Sequence, residues 1–204
     1  MTTLALLLPA VVGCQQIAAV LAVASGGDTV DAEYKLPEGL LAVVVDEPEP
    51  LGVTPEAIAT FHKTFEETLS ANKIKTRIVA LAEVQRLQQT ETNYEELSIR
   101  QLGEKLGAEQ VLYVRVKYWA LKENPEDVQY AGRWRVGVKI VSTERKSDVR
   151  LWPRDGAEDR TIEVKTDPSL DDSLAAPVRV AEQLARKLGK KTAQYFYDHK
   201  PLDE

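Results

Sequence analysis

One cysteine, one methionine and two histidines are all that a chain of 204 residues contains of those three types. With Cys14 alone, no internal disulfide can form, so even in an oxidising compartment the fold must rest on its core. The histidines, His62 and His199, lie far apart, and no CxxC, HExxH, GxSxG or glycine-rich phosphate loop occurs. Positive charge is also short: 26 basic against 32 acidic side chains give a net charge of −6. That balance disfavours nucleic acid as a partner. What remains, 44% hydrophobic and 28% charged, fits one or two globular domains and excludes collagen, a disulfide miniprotein and a polytopic membrane protein. The expectation is a protein that is not an enzyme and binds no metal or cofactor.

A further scarcity is local. No Asp, Glu, Lys or Arg precedes Asp28, and within residues 4–24 only Gln15 and Gln16 are clearly polar. A core helix would carry a charged outer face, so this stretch reads as an export or membrane segment. Val11-Val12-Gly13-Cys14 follows the apolar residues 4–10 and resembles the lipobox of bacterial lipoproteins. The resemblance implies cleavage before Cys14, a diacylglycerol on its sulfur and acylation of the new amino terminus. Two or three acyl chains hold a protein at a membrane, each buried methylene contributing about 0.8 kcal/mol. Two alternatives stay open: cleavage after Ala24, releasing a soluble protein from Ser25, and an uncleaved span of residues 4–25, long enough for a bilayer core of about 30 Å. Because Met1-Thr2-Thr3 lacks a basic residue, the true start is expected upstream. The expected organisation is a signal segment at 1–13, a lipidated cysteine and tether at 14–35, one globular domain at 36–199 and a tail at 200–204.

Within that domain, residues 40–45 are uninterruptedly apolar, the pattern of a central strand buried on both faces. Thr54, Pro55 and Glu56 supply an N-cap, a first-turn proline and a carboxylate at the positive end of a helix dipole. Ile58, Phe61, Phe65 and Leu69 then make one helical stripe, ended by Asn72. A strand at 76–80 and a helix at 81–89 follow. Ser98 and Gln101 form a capping box for a helix to Leu106, closed by a left-handed Gly107. Residues 111–121 and 130–142 alternate and make an antiparallel hairpin around a turn at 124–127. Strict alternation sends Leu112, Val114, Val116 and Tyr118 inward and Tyr113, Arg115, Lys117 and Trp119 to the other face. A turn at 144–148, a short strand at 149–152 and an edge strand at 161–166 complete a four-strand meander. The last helix begins between Asp172 and Pro177, its buried stripe running from Ala181 to Phe196. The order β-α-β-α-α-β-β-β-β-α specifies an α+β fold with a mixed sheet of five to six strands and helices packed on one face.

Candidate functional groups are few. Asp46 and Glu47, at the carboxyl end of the first strand, are the one carboxylate pair suited to acid–base work, and they carry the alternative of a secreted soluble enzyme or ligand-binding domain. The run Asp46-Glu47-Pro48-Glu49-Pro50 is more simply a solvated, proline-stiffened loop. His62, beside core-facing Phe61, and His199, expected in the last helical turn, read as structural or solvated. Arg186, Lys187, Lys190 and Lys191 read as a solvated helix face, the alternative being contact with anionic headgroups. The most distinctive surface is Tyr113, Arg115, Lys117 and Trp119 with Arg133 and Arg135, since aromatic and arginine side chains concentrate in binding hot spots. Contact with a partner and cover by one of the chain's own helices both remain open for it.

Residues 102–114, Leu-Gly-Glu-Lys-Leu-Gly-Ala-Glu-Gln-Val-Leu-Tyr-Val, resemble the step of helix, Leu-Gly-Ala-acid and apolar strand found in the TolB amino-terminal domain and CsgG-like lipoproteins. Residues 136–152 are similar to the hairpin of that group that ends in Leu-Trp. The resemblance implies non-enzymatic work in the bacterial cell envelope. Together with the lipobox it implies an exported protein held by lipid at the outer membrane or the periplasmic face. Its partners would be the membrane, through Cys14, and another envelope protein; no oligomeric state is indicated.

Overall fold

Six short blocks of β-branched and aromatic residues pair into one mixed sheet, and a computed structural model of the chain describes it over residues 29–144, 149–168, 173 and 175–200. Cys14, the lipobox, the tether to Asp28 and the tail from 201 lie outside the described residues. The apolar run forms β1 (Leu40–Asp46), which pairs in parallel with β2 (Arg77–Ile78) on one side and β3 (Gln110–Ala120) on the other. β4 (Arg133–Ser142) lies antiparallel to β3. Both β5 (Val149–Trp152) and β6 (Arg160–Lys165) pair antiparallel with β4.

This pairing replaces the expected four-strand meander. Pro153 follows Trp152 and offers no amide to a ladder, so β5 occupies only Ile140–Ser142 of β4. The rest of that edge, Arg133–Val138, is left for β6. The expected strand at 76–80 is reduced to two residues.

Local signals in the sequence place the helices. Thr54 caps α1 (Pro55–Ala71) by accepting the Ala57 amide at 3.2 Å. α2 (Leu81–Thr90) is followed by a 3-10 turn (Tyr94–Glu96). α3 (Ile99–Lys105) starts at the capping box, with Ser98 Oγ accepting from Gln101 N at 3.3 Å and Gln101 Oε1 accepting from Ser98 N at 2.8 Å. Gly107 follows α3 at φ +66°, in the left-handed region. α4 (Ala176–Gln194) closes through bonds from Tyr195 N to Thr192 O and from Phe196 N to Ala193 O. The helix therefore ends before His199, contrary to expectation, and His199 forms a two-way backbone bridge with Val30 at 2.8 and 3.0 Å.

Residues 32–197 form one compact unit of α+β class, with the expected order of elements. α1 and α4 cover one face of the sheet, where Phe61, Phe65, Leu184, Leu188 and Phe196 pack on Leu112, Val114, Trp134, Val136 and Val138. The second face is not bare, as helices on one face alone would leave it. α2 and α3 bring Val84 and Leu102 against Ala42, Val44 and Val111, at the β1 side of the sheet only. A strand apolar on both faces needs two covers, and β1 has them, as does the first half of β3.

α1 and α4 approach closely because Gly189 has no side chain: a Cβ there would lie 2.9 Å from the Phe61 carbonyl oxygen and 3.1 Å from the Phe65 nitrogen. His62, on α1, is only 4% exposed and reaches the Val79 backbone. Burial lowers its pKa from the ordinary histidine value, and Nε2 has no hydrogen-bond partner in the structure. This supports the structural reading of the residue.

Candidate functional site

The hairpin β3–β4 does not alternate throughout. Val116 faces Val136, but Tyr118 faces Arg135, so one extra residue, Lys117, is accommodated in β3 as a bulge. Beyond it the faces exchange. Trp119, expected on the polar face, is 9% exposed and lies in the main core, edge-on to Trp134 at a centroid distance of 4.9 Å. Tyr118, expected inside, is 36% exposed and takes its place outside. A bulge is a non-local feature of strand pairing, and residue period alone does not reveal it.

With that exchange, the uncovered part of the second face carries Arg115, Lys117, Tyr118, Arg133 and Arg135, while Tyr113 is buried at its margin, in the cluster under α2 and α3. Two tyrosine rings organise it. Tyr113 has the Arg115 guanidinium 5.9 Å and the Lys139 ammonium 5.6 Å from its centroid. Tyr118 has Arg133 at 6.0 Å and Arg135 at 5.8 Å. These distances suit cation–π attraction. Arg135 Nε also donates to Glu163 Oε2 at 2.6 Å, and that guanidinium, with Lys165, holds the Glu163 carboxyl below its ordinary pKa. Lys117 reaches across the sheet to Asp159 Oδ1 at 2.6 Å and Thr161 Oγ1 at 3.2 Å. It crosses over Gly137, where a Cβ would collide with both Asp159 and Lys117.

Arg115, Lys117, Arg133, Arg135, Lys139 and Lys165 stand there against Asp46, Glu123, Glu158, Asp159 and Glu163, a slight basic excess in a chain whose net charge is −6. Of the six residues expected there, Arg115, Lys117, Arg133 and Arg135 lie on the uncovered surface, Tyr113 is buried beside it and Trp119 is in the core, with Tyr118 outside in its place.

The carboxylate pair is occupied in other ways. Glu47 Oε1 accepts the amides of Gly52 and Val53 at 2.6 and 3.3 Å, which holds the proline-rich loop in a turn where Gly52 has φ +85°. Asp46 Oδ2 accepts the Tyr113 hydroxyl and lies 3.7 Å from Arg115 Nε. Burial and the Asp46 carboxylate push the Tyr113 phenol far above the ordinary tyrosine range, so it stays a neutral donor. The two carboxylates have different partners.

Half of the basic cluster on α4 has internal work. Lys187 Nζ donates to the Lys165 carbonyl at 2.8 Å and Lys191 Nζ to the Glu163 carbonyl at 3.2 Å. Both carbonyls are on β6, the edge strand. Arg186 pairs with Glu182 at 3.3 Å, as an i, i+4 pair should. Among the described residues no group of three or more His, Cys, Asp or Glu is arranged to hold a metal ion, and no helix is long and apolar enough to cross a membrane.

No family model matches the chain, and no curated protein matches it. Solved structures do resemble it. Lipoprotein GNA1162 from Neisseria meningitidis is 13% identical over 74% of this chain and 98% of that one, with a TM-score of 0.44. The PelC dodecamer from Paraburkholderia phytofirmans is 14% identical, covering 80% and 93%, with a TM-score of 0.36. The LpoB C-terminal domain from Salmonella enterica is 15% identical, covering 72% and 93%, with a TM-score of 0.33. Bacterial lipoproteins are therefore among the structural neighbours of the chain. At these TM-scores the likeness carries no argument about function, and membership of the TolB and CsgG-like group is not assigned.

Proposed function

We propose that this chain is an exported envelope lipoprotein, held to the outer membrane or the periplasmic face by lipid on Cys14, whose α+β domain binds another envelope protein without catalysis. The observation that carries the binding role is the half-covered second face. The chain covers both faces of β1 with its own helices and leaves the β3–β4 side of one face to solvent. That side holds Tyr118 beside Arg133 and Arg135, with Arg115 and Lys139 over the buried Tyr113 at its margin, in a chain that is acidic elsewhere. The Val11-Val12-Gly13-Cys14 sequence supports the anchor.

Intact mass of the membrane-associated protein, expressed with its upstream region in a bacterial host, tests the anchor. Wild type should begin at Cys14 and carry acyl groups, and Cys14→Ser should lose both the mass increment and membrane association. A mass beginning at Ser25 in the soluble fraction would replace the lipoprotein by a secreted domain. For the binding role, crosslinked partners should be recovered from envelope extracts with wild type and be depleted with the Tyr118→Ala, Arg135→Ala double variant. Equal recovery with both would remove this face from the interface.

A further inference from the structure

At the carboxyl ends of β1 and β3 the chain departs in different directions. β1 enters the loop to α1, on the first face of the sheet, while β3 turns back as β4. Divergence of this kind between neighbouring parallel strands opens a crevice, the place where ligands enter open α/β sheets. Here it is a groove of about 360 Å³ on the second face, a size suited to one small molecule or one long side chain. Val44, Leu97, Ile99 and Leu102 line its apolar part, together with Tyr94 and Tyr113. Its charged lining groups are Asp46, Glu47 and Glu95 against Arg115, with the Lys139 ammonium 5.6 Å from the centroid of the lining Tyr113 ring, so the carboxylates are in excess by one.

The balance of these charges is negative in the places that matter. Arg115 is matched by Asp46. Glu47 accepts two loop amides, which are neutral and leave its charge uncompensated. Glu95 has neither a hydrogen bond nor an ion pair among the described residues. The phenols report the same sign: Asp46 raises the pKa of both Tyr113 and Tyr94, in each case adding to the effect of burial, and at Tyr113 it does so despite Arg115. Aromatic faces, aliphatic lining and surplus carboxylates are together the complement of an organic cation.

We infer that this groove binds an alkylammonium or alkylguanidinium group, its apolar stem on the aliphatic lining and its charge among the tyrosines and carboxylates. The group arrives either on a free small solute or as a lysine or arginine side chain of a peptide. The inference does not depend on the anchor; the groove adjoins the proposed partner face and shares Asp46, Tyr113 and Arg115 with it, whereas Tyr94 and Glu95, which the variants change, belong to the groove alone.

The test uses the full chain in nonionic detergent micelles and follows its backbone amides by NMR. The probes are n-butylguanidinium and the peptide acetyl-Ala-Arg-Ala-amide, with butyrate and acetyl-Ala-norleucine-Ala-amide as anionic and neutral controls. Both cations should give saturable shifts centred on Asp46, Tyr94, Leu97 and Tyr113, and the controls should not. Glu95→Gln, an exposed change, should weaken both by about threefold, and Tyr94→Leu by about fivefold. Binding about tenfold tighter for the peptide identifies a side chain of a partner as the ligand; equal binding identifies a free solute. Absence of saturable shifts with both cations, an equal response to butyrate, or unchanged affinity in Glu95→Gln overturns the inference. If Tyr94→Leu perturbs the fold, its amide spectrum reveals this, and Glu95→Gln decides.

Discussion

The bulge at Lys117 makes a sharp prediction, because it reverses the roles of two adjacent aromatic residues. If Trp119 lies in the core, Trp119→Ala removes a ring that is 9% exposed and packs edge-on to Trp134. An aromatic side chain buries roughly 200 Å², which at about 25 cal/mol per Å² corresponds to about 5 kcal/mol before the alanine's own share is subtracted. Large-to-small aromatic truncations in cores fall at about 3–5 kcal/mol, and the lower half suits a residue near the end of its strand. With a urea slope of about 2 kcal/mol per molar, the unfolding midpoint should drop by about 1.5–2 M. Tyr118→Ala loses a partly exposed ring and two cation–π contacts, and should cost about 1 kcal/mol or less. Urea titrations of both variants, followed by far-UV circular dichroism, measure the difference directly. A Trp119→Ala midpoint within about 0.5 M of wild type, or a larger loss for Tyr118→Ala, would refute the bulge and restore strict alternation.

Three further outcomes are expected. Gly189→Ala places a methyl 2.9 Å from the Phe61 carbonyl oxygen, so the α1–α4 contact must open, with a loss of about 1–3 kcal/mol by thermal melting; no loss would mean that the helices are not in contact there. His62 has a lowered pKa in the folded state, so the unfolded chain takes up its proton first. Stability should be complete above the unfolded value of about 6.5 and fall as pH drops through that value toward the folded one, and His62→Gln should flatten this part of the pH–stability profile measured by urea titration. Lys187 and Lys191 cap outward carbonyls of the β6 edge, so the Lys187→Met, Lys191→Met double variant should expose a pairing edge and self-associate in sedimentation velocity runs; a species of unchanged size would show that the edge needs no such protection.

The readings that the structure repeats are those whose signal is local. Thr54-Pro55-Glu56 starts a helix and Ser98 with Gln101 starts another because a cap is complete within four residues. Gly107 ends α3 because it takes a positive φ there. Residues 40–45 are apolar on both sides because their strand is covered twice. The α+β class and the order of elements follow from such segments read in turn. The amino-acid sequence is also the whole basis for the proposed anchor, since the likeness of Val11-Val12-Gly13-Cys14 to a lipobox is read from four adjacent residues.

What the sequence leaves undetermined depends on which strand lies beside which. An extra residue in β3 exchanges Tyr118 for Trp119, but only the register against β4 shows that Lys117 is the extra one. β6 follows β5 along the same edge of β4 because β5 uses only three positions of a ten-residue strand. The lysines of α4 meet the β6 carbonyls across more than twenty residues of chain. The groove beside Asp46 draws on β1, the 3-10 turn, α3 and β3, segments whose separate patterns have no property in common. Side-chain period and capping chemistry act within a few residues, whereas strand register, edge protection and crevices arise from contacts between distant segments. For this protein the former determined the elements and are the ground for the proposed anchor, and tertiary packing alone determined which side chains share the exposed face and the groove.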